Sequence, residues 1–125
     1  MGLTGFETGY IVVYFGDVAA NGEVNAYILK ANRRIKIVSA QIGVGSQINA
    51  NQNDYVTFTL KNGNNTVATL DSSSSNISQG ITNLSVSSTY QWVSANSEVT
   101  FTVAQDGNGA AVDDLTLILR VEIAD

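Results

Sequence analysis

The longest extended segment of the chain, residues 33–44 with the sequence RRIKIVSAQIGV, changes its hydrophobic phase partway along. Ile35 and Ile37 fall on one face of a strand whose side chains alternate with a period of two residues. The apolar residues that follow, at positions 38, 40, 42 and 44, fall on the other face. This pattern predicts an interior strand that is covered on both sides or bent by a bulge near residues 37 and 38.

Other segments have the alternation or the β-branched composition of strands. They cover residues 10–15, 23–29, 55–60, 66–70, 83–87, 98–104 and 113–123. Turn-forming residues separate them, and Asn62-Gly63 is the strongest hairpin signal in the chain. About eight strands without a helical period predict an all-β fold, namely a two-sheet antiparallel sandwich of the jelly-roll type.

The chain divides into a short N-terminal arm and a single domain. Residues 1–9 are rich in Gly and Thr and contain one aromatic residue, Phe6. Arms of this composition are often poorly ordered unless a partner holds them. Residues 10–125 have the length of one domain, and nothing within them marks a boundary.

The composition removes most catalytic and metal chemistry. The chain contains neither Cys nor His, which excludes disulfides, thiolate ligands and a Ser-His-Asp triad. Its net charge of −5 argues against a nucleic-acid partner. The sequence shows no signal peptide and no apolar run that could span a bilayer, so we expect a protein made in the host cytoplasm without a membrane partner.

Two acidic motifs are candidate sites of chemistry. Neighbours in a strand point to opposite faces, so Asp113-Asp114 favours a polar segment before the last strand over a catalytic carboxylate pair. The DGNG segment at residues 106–109 lacks the remaining ligands of a calcium loop and is typical of turns. The sequence therefore predicts no catalytic residue, no metal and no cofactor, and a small hydrolase is only a residual alternative.

Four of the six positive charges lie around the start of the long strand, at Lys30, Arg33, Arg34 and Lys36. Such a cluster is either a solvated turn that keeps a sheet edge from pairing or a docking patch for an acidic protein surface. Together with Phe6 of the arm, these four residues are the candidate partner-docking residues.

Two strands carry apolar residues on both faces. Each sheet of a small helix-free sandwich has one face on the core and one facing outward, so a second apolar face needs a cover such as another subunit. Ile11, Val13, Ile42 and Val44 are the candidate residues of that subunit interface. A closed cyclic assembly, a homotrimer, would bury such a surface together with the sheet edges.

Three segments carry a resemblance to a known family. They are FGDVAANGEVNAYILKANRRIKIVSAQIGV, NDYVTFTLKNGN with TVATLDS, and VTFTVAQDGNGAAVDDLTLILRVEI, which together cover most of the chain from Phe15 onward. They resemble the small jelly-roll capsid decoration (cement) proteins of tailed bacteriophages, and related trimeric modules occur on phage fibres. The resemblance implies a homotrimer on the capsid surface of a virion. Its partner would be the major capsid protein, and it would stabilise the shell without catalysis.

A second hypothesis is a carbohydrate- or receptor-binding β-sandwich module of a phage fibre or tail. Tyr90 and Trp92 would then form an aromatic platform for stacking against a glycan. A single Trp more often fills the space between sheets. A change of Trp92 fluorescence on adding glycans would favour this hypothesis over the first.

Overall fold

Strands form where β-branched and aromatic residues alternate with polar ones, and turns form at clusters of Gly, Asn, Asp and Ser. The computed structural model describes residues 7–123, and within that part it contains nine strands and no helix. The strands are β1 (Glu7–Val18), β2 (Val24–Lys30), β3 (Ile35–Val44), β4 (Tyr55–Asn62), β5 (Asn65–Asp71), β6 (Gly80–Leu84), β7 (Trp92–Val93), β8 (Glu98–Asp106) and β9 (Val112–Ile123). The predicted all-β fold is confirmed.

The strands form two antiparallel sheets with the core between them. Sheet A has the order β1-β9-β3-β6, and the short β7 pairs with β3. Sheet B has the order β2-β8-β4-β5. Because the chain crosses from one sheet to the other at most of its connections, the sandwich has the jelly-roll topology that the sequence predicts.

Strand β3 contains the predicted bulge, which explains its change of phase. Its register against β9 shifts between Ile37 and Ser39. Ile35 and Ile37 before the shift are buried, and so are Ala40, Ile42 and Val44 after it. The extra residue rotates the strand, so both halves direct their apolar side chains into the same core. The apparent second apolar face of this strand is therefore one inner face interrupted by a bulge.

Strand boundaries differ from the sequence prediction where pairing partners decide them. β1 begins at Glu7 instead of residue 10, because residues 7–9 continue the ladder with β9. The strand predicted at residues 83–87 lies at Gly80–Leu84, where it pairs with residues 40–44 of β3. On the N-terminal side of the bulge, the same edge of β3 pairs with β7, and Trp92 lies opposite Lys36.

The centre of the core is a stack of three phenylalanines from both sheets. The ring of Phe101 lies 5.4 Å from that of Phe15 and 6.3 Å from that of Phe58, measured between centroids. Phe58 and Phe101 are fully buried, and leucines of β9 complete the contact between the sheets. The alternating apolar residues of β4, β8 and β9 thus occupy the inner face that the sequence predicts.

The hairpin at Asn62-Gly63 forms one residue later than its motif suggests. Asn62 still belongs to β4 and lies opposite Asn65, while Gly63 enters the turn with a φ of 60°. The buried Asn62 amide donates to the carbonyls of Tyr90 and Trp92 at 3.1 and 3.0 Å. Its Oδ1 accepts a hydrogen bond from Ser97 at 2.8 Å. Asn62 therefore fixes the segment between β6 and β8 onto the end of the sandwich.

We expect Asn62→Ala to destabilise the protein by about 2–3 kcal/mol, because three hydrogen bonds are lost at a buried position. The matched control is Asn65→Ala, an exposed change in the same hairpin pair, for which a loss within about 0.5 kcal/mol is expected. Denaturant unfolding of both variants measures the difference. Equal stability of the two variants would show that the Asn62 contacts do not hold this segment.

Candidate functional site

The outer face of sheet A carries two rows of side chains that combine exposed apolar residues with polar ones. Residues opposite one another in antiparallel strands point to the same side, so the pairing defines the rows. The rows, read from β1 to β6, are Val12–Ile118–Gln41–Asn83 and Tyr14–Thr116–Gly43–Ile81. The most exposed large side chains on this face are Tyr10 (69%), Tyr14 (64%), Val12 (63%) and Ile81 (59%). Tyr10, Val12 and Tyr14 are neighbours on one face of β1, and exposed apolar groups that lie side by side are typical of interaction surfaces, whereas isolated ones are common.

A shallow depression of about 270 Å³ lies within this face, and it is lined by Gly43, Val44, Gly45, Gly80, Ile81, Asp114, Thr116 and Ile118. The lack of side chains at Gly43 and Gly45 leaves the space of this depression open. A methyl group at Gly43 would lie 3.1 Å from Cδ1 of Ile81, and one at Gly45 would lie 2.9 Å from a carboxylate oxygen of Asp114. The depression leaves room for a protruding side chain of a partner.

A hydrogen bond between Tyr14 and Asp114 borders the depression. The Tyr14 hydroxyl donates to Oδ1 of Asp114 at 2.7 Å, and this bond raises the pKa of the Tyr14 phenol. Asp114 has a φ of 49°, and its amide donates to Oδ1 of Asp17 at 3.0 Å. These contacts hold the exposed ring of Tyr14 beside the depression. The carboxylates of Asp114 and Asp17 therefore lie at the edge of this face.

The outer face of sheet B has a different chemistry. Its rows are Asn25–Thr102–Thr59–Thr69 and Tyr27–Thr100–Lys61–Thr66. The hydroxyls of Thr59 and Thr69 lie 3.5 Å apart, and Thr69 also donates to the carbonyl of Phe58. Tyr27 is the one strongly exposed large hydrophobic residue described on this face. Threonine suits solvent, so the two outer faces of the sandwich are suited to different surroundings.

The four residues predicted for a subunit interface lie on the inner face. Ile42 and Val44 are buried in the core, and Ile11 packs against the core from β1. Val13 is half-buried on the same side of that strand. The side chains of Ile42 and Val44 cannot contact another subunit while the sandwich is intact. The exposed side chains of β1 are those of the opposite alternation, Tyr10, Val12 and Tyr14.

The residues that sequence reasoning missed are Tyr10, Val12, Tyr14, Ile81 and Ile118. One signal for the first three was present, because residues 10–15 place two tyrosines on one face and Ile11 and Phe15 on the other. Tyrosine tolerates exposure better than Ile or Phe, since its hydroxyl can remain hydrated. No local signal identifies Ile81, because only its pairing with Gly43 brings it to this face.

The predicted docking residues lie at one end of the sandwich. Lys30 ends β2, Arg33 and Arg34 occupy the turn to β3, and Lys36 is the second residue of β3. The guanidinium of Arg34 lies 4.3 Å from the centroid of the Trp92 ring, and Nζ of Lys36 lies 5.0 Å from it. Phe6, the remaining docking residue, lies outside the described residues.

The alternative glycan platform coincides with the basic cluster. Trp92 is half-buried, and the charged groups of Arg34 and Lys36 lie over its ring. Tyr90 is exposed, and its backbone carbonyl is fixed by Asn62. The cation–π contacts make this Trp part of a charged surface.

The acidic motifs lie in loops and at the start of β9. The amide of Asn108 in the DGNG segment donates to Oδ1 of Asp54 at 2.8 Å, and Gly107 and Gly109 adopt positive φ. Asp106 accepts a hydrogen bond from Tyr55, which raises the pKa of that phenol. Among the described residues, no group of three or more acidic side chains is placed to hold a metal ion. The DGNG segment forms a turn closed by the hydrogen bond from the Gly109 amide to the Asp106 carbonyl, and Asp113-Asp114 belongs to β9.

No protein-family model matches the chain, and no curated protein matches it either. Solved structures align with nearly the whole chain. A chain of the cyanophage Pam1 capsid aligns with a TM-score of 0.55 at 14% identity, over 99% of this chain and 88% of that one. A chain of Cocksfoot mottle virus aligns with a TM-score of 0.48 at 11% identity, over 98% and 85%. At 14% identity, the likeness to the Pam1 chain shows a shared fold and nothing beyond it.

Across residues 7–123, there is no helix with the length and hydrophobicity needed to cross a membrane.

Proposed function

We propose that this protein is a structural, non-catalytic subunit of a virion that decorates a phage capsid as a homotrimer and stabilises the shell. The observation that carries the proposal is the contrast between the two outer faces of the sandwich. Sheet A presents exposed Tyr10, Val12, Tyr14 and Ile81, whereas sheet B presents mainly threonine. A surface of the first kind calls for a protein cover, and a surface of the second kind can face solvent.

In the proposed trimer, the outer face of sheet A lies at the contact between copies. The proposed interface therefore consists of Tyr10, Val12 and Tyr14 of β1 together with Ile81 and Ile118. These residues take the place of the four that the sequence predicted for the interface. A cyclic arrangement gives every copy the same cover, and the glycine-lined depression receives a side chain of the adjacent copy.

The capsid role is supported by the fold and by its occurrence in a capsid chain of similar length. The chain from the cyanophage Pam1 capsid aligns along nearly all of this protein and most of its own length. The segments that resemble decoration proteins point to the same role. The protein would be made in the host cytoplasm and would bind the major capsid protein at the capsid surface.

The experiment that tests this function uses empty shells assembled from the major capsid protein of the same virus. We expect the full chain to pellet with the shells at a saturating ratio and to raise the temperature at which they disassemble. Deleting residues 2–6, which lie before β1, should weaken pelleting without altering the fold. A chain that neither pellets with the shells nor stabilises them would refute the capsid role.

A further inference from the structure

The charges of the sandwich are sorted along the direction of its strands. One end, which we term the basic end, contains the β2–β3 turn, the β4–β5 turn and the segment between β7 and β8. All six cations of the chain lie in this half: Lys30, Arg33, Arg34, Lys36, Lys61 and Arg120. Two acidic residues, Glu98 and Glu122, lie among them, and Glu7 begins β1 at this end.

The opposite end, which we term the acidic end, contains the β1–β2, β3–β4, β5–β6 and β8–β9 loops. Seven of the eleven acidic residues lie in this half: Asp17, Glu23, Asp54, Asp71, Asp106, Asp113 and Asp114. None of the six cations accompanies them. A protein with a net charge of −5 thus has one end that is positive, and the charge separation runs the length of the sandwich.

The cations of the basic end concentrate beside the outer face of sheet A. Lys36 lies between Trp92 on one neighbouring strand and Glu122 on the other, and Arg120 follows in the next row of β9. The charged groups of Arg34 and Lys36 both make cation–π contacts with the ring of Trp92. Such contacts hold flexible side chains in place, which reduces the entropy that they lose on binding a partner.

We infer that the part of the basic end beside sheet A, with Arg34 and Lys36, is the docking end and that its partner is a carboxylate-rich protein surface of the capsid. The inference rests on the proposed function and specifies the partner chemistry and the orientation of the bound protein. A net-negative chain is repelled by an acidic surface in every orientation except the one that presents its basic end. Docking this way directs the seven carboxylates of the acidic end away from the shell.

A compact protein surface fits this charge distribution better than a nucleic acid does. An acidic patch contacts one end of the sandwich, whereas a long phosphate backbone would also run past the acidic end. The described chain begins at the basic end, since Glu7 lies opposite Ile123, which in turn lies opposite Ile35. The arm with Phe6 is therefore attached where the basic residues lie. A trimer with parallel subunits would present three such ends to one shell.

Trp92 gives the docking end its own reporter, because it is the only Trp in the chain. We would titrate the full chain with poly-L-glutamate at physiological ionic strength and follow Trp92 emission. Arg34→Glu should weaken binding by about tenfold or more, because it places a like charge at the centre of the patch. The matched control is Lys61→Glu, the same charge change at the same end but on the outer face of sheet B, and it should weaken binding much less.

Several outcomes overturn the inference. They are equal weakening by the two variants, unchanged Trp92 emission on adding poly-L-glutamate, and binding of oligo-dT that is as tight as binding of poly-L-glutamate. Poly-L-lysine should bind the acidic end and leave the emission unchanged. Light scattering on the same samples separates this inference from the proposed trimer. If the chain is a trimer but does not bind poly-L-glutamate, the docking inference is wrong and the proposed trimer stands. If a single chain binds poly-L-glutamate, the proposed trimer is wrong and the docking inference stands.

Discussion

Val12→Asp is expected to turn the proposed trimer into single chains while leaving the fold intact. The change places a carboxylate within the apolar rows of sheet A, where a neighbouring copy would bury it without a partner. An unpaired buried charge costs several kcal/mol, and each 1.4 kcal/mol weakens association about tenfold. In the single chain position 12 is exposed, so the free energy of unfolding should change by less than about 1 kcal/mol.

The matched control for this variant is Tyr27→Asp, because Tyr27 is 60% exposed on the outer face of sheet B. Sedimentation equilibrium should give about 40 kDa, three times the 13.2 kDa of one chain, for the unaltered protein and for this control. Val12→Asp should give the mass of one chain. If Val12→Asp keeps the trimeric mass, or if Tyr27→Asp dissociates the trimer equally well, the interface does not lie on sheet A.

Phe101→Ala is expected to lower the free energy of unfolding by about 3–5 kcal/mol. Phe101 is fully buried and stacks against Phe15 of sheet A and Phe58 of sheet B, so its removal leaves a cavity between the sheets. A domain of this size is stable by only about 5–15 kcal/mol, so the variant should have a much lower unfolding midpoint.

Denaturant unfolding of Phe101→Ala beside Phe101→Leu separates the cavity from the loss of the aromatic ring. Leucine keeps much of the volume, and we expect it to cost about 1–2 kcal/mol. A loss below about 1.5 kcal/mol for the alanine variant would mean that the two sheets are not held together at this stack.

The sequence predicts the fold class because alternation and turn residues are local properties. The inner faces of β4, β8 and β9 follow from short-range patterns alone, whereas the phase change of β3 left a bulge and a cover on both sides as alternatives, which only the pairing with β9 decides. The position of β6 does not, since residues 80–84 contain little alternation and their place is decided by pairing with β3. Asn62 shows the same limit, because its motif predicts a turn and its three partners lie about 30 residues away.

The candidate site was predictable only in part, because the sequence shows which residues are apolar but does not show which way their side chains point. The two apolar faces of residues 10–15 are evident in the sequence, but the face that turns outward depends on the opposite sheet. The bulge of β3 reversed the interpretation of residues 42 and 44, because it brings both phases onto one side. The charge polarity joins residues as distant as Lys30, Lys61 and Arg120, so it emerges only when the strand directions are known.

A cryo-electron microscopy map of capsid shells with the protein bound tests the proposed role most directly. We expect threefold clusters in which the outer faces of sheet A are enclosed between copies and the β2–β3 turn with Arg34 contacts the shell. The threonine face of sheet B and the loops with Asp106 and Asp113 should face solvent. Single copies on the shell, or clusters bound through the acidic end, would contradict the proposed assembly.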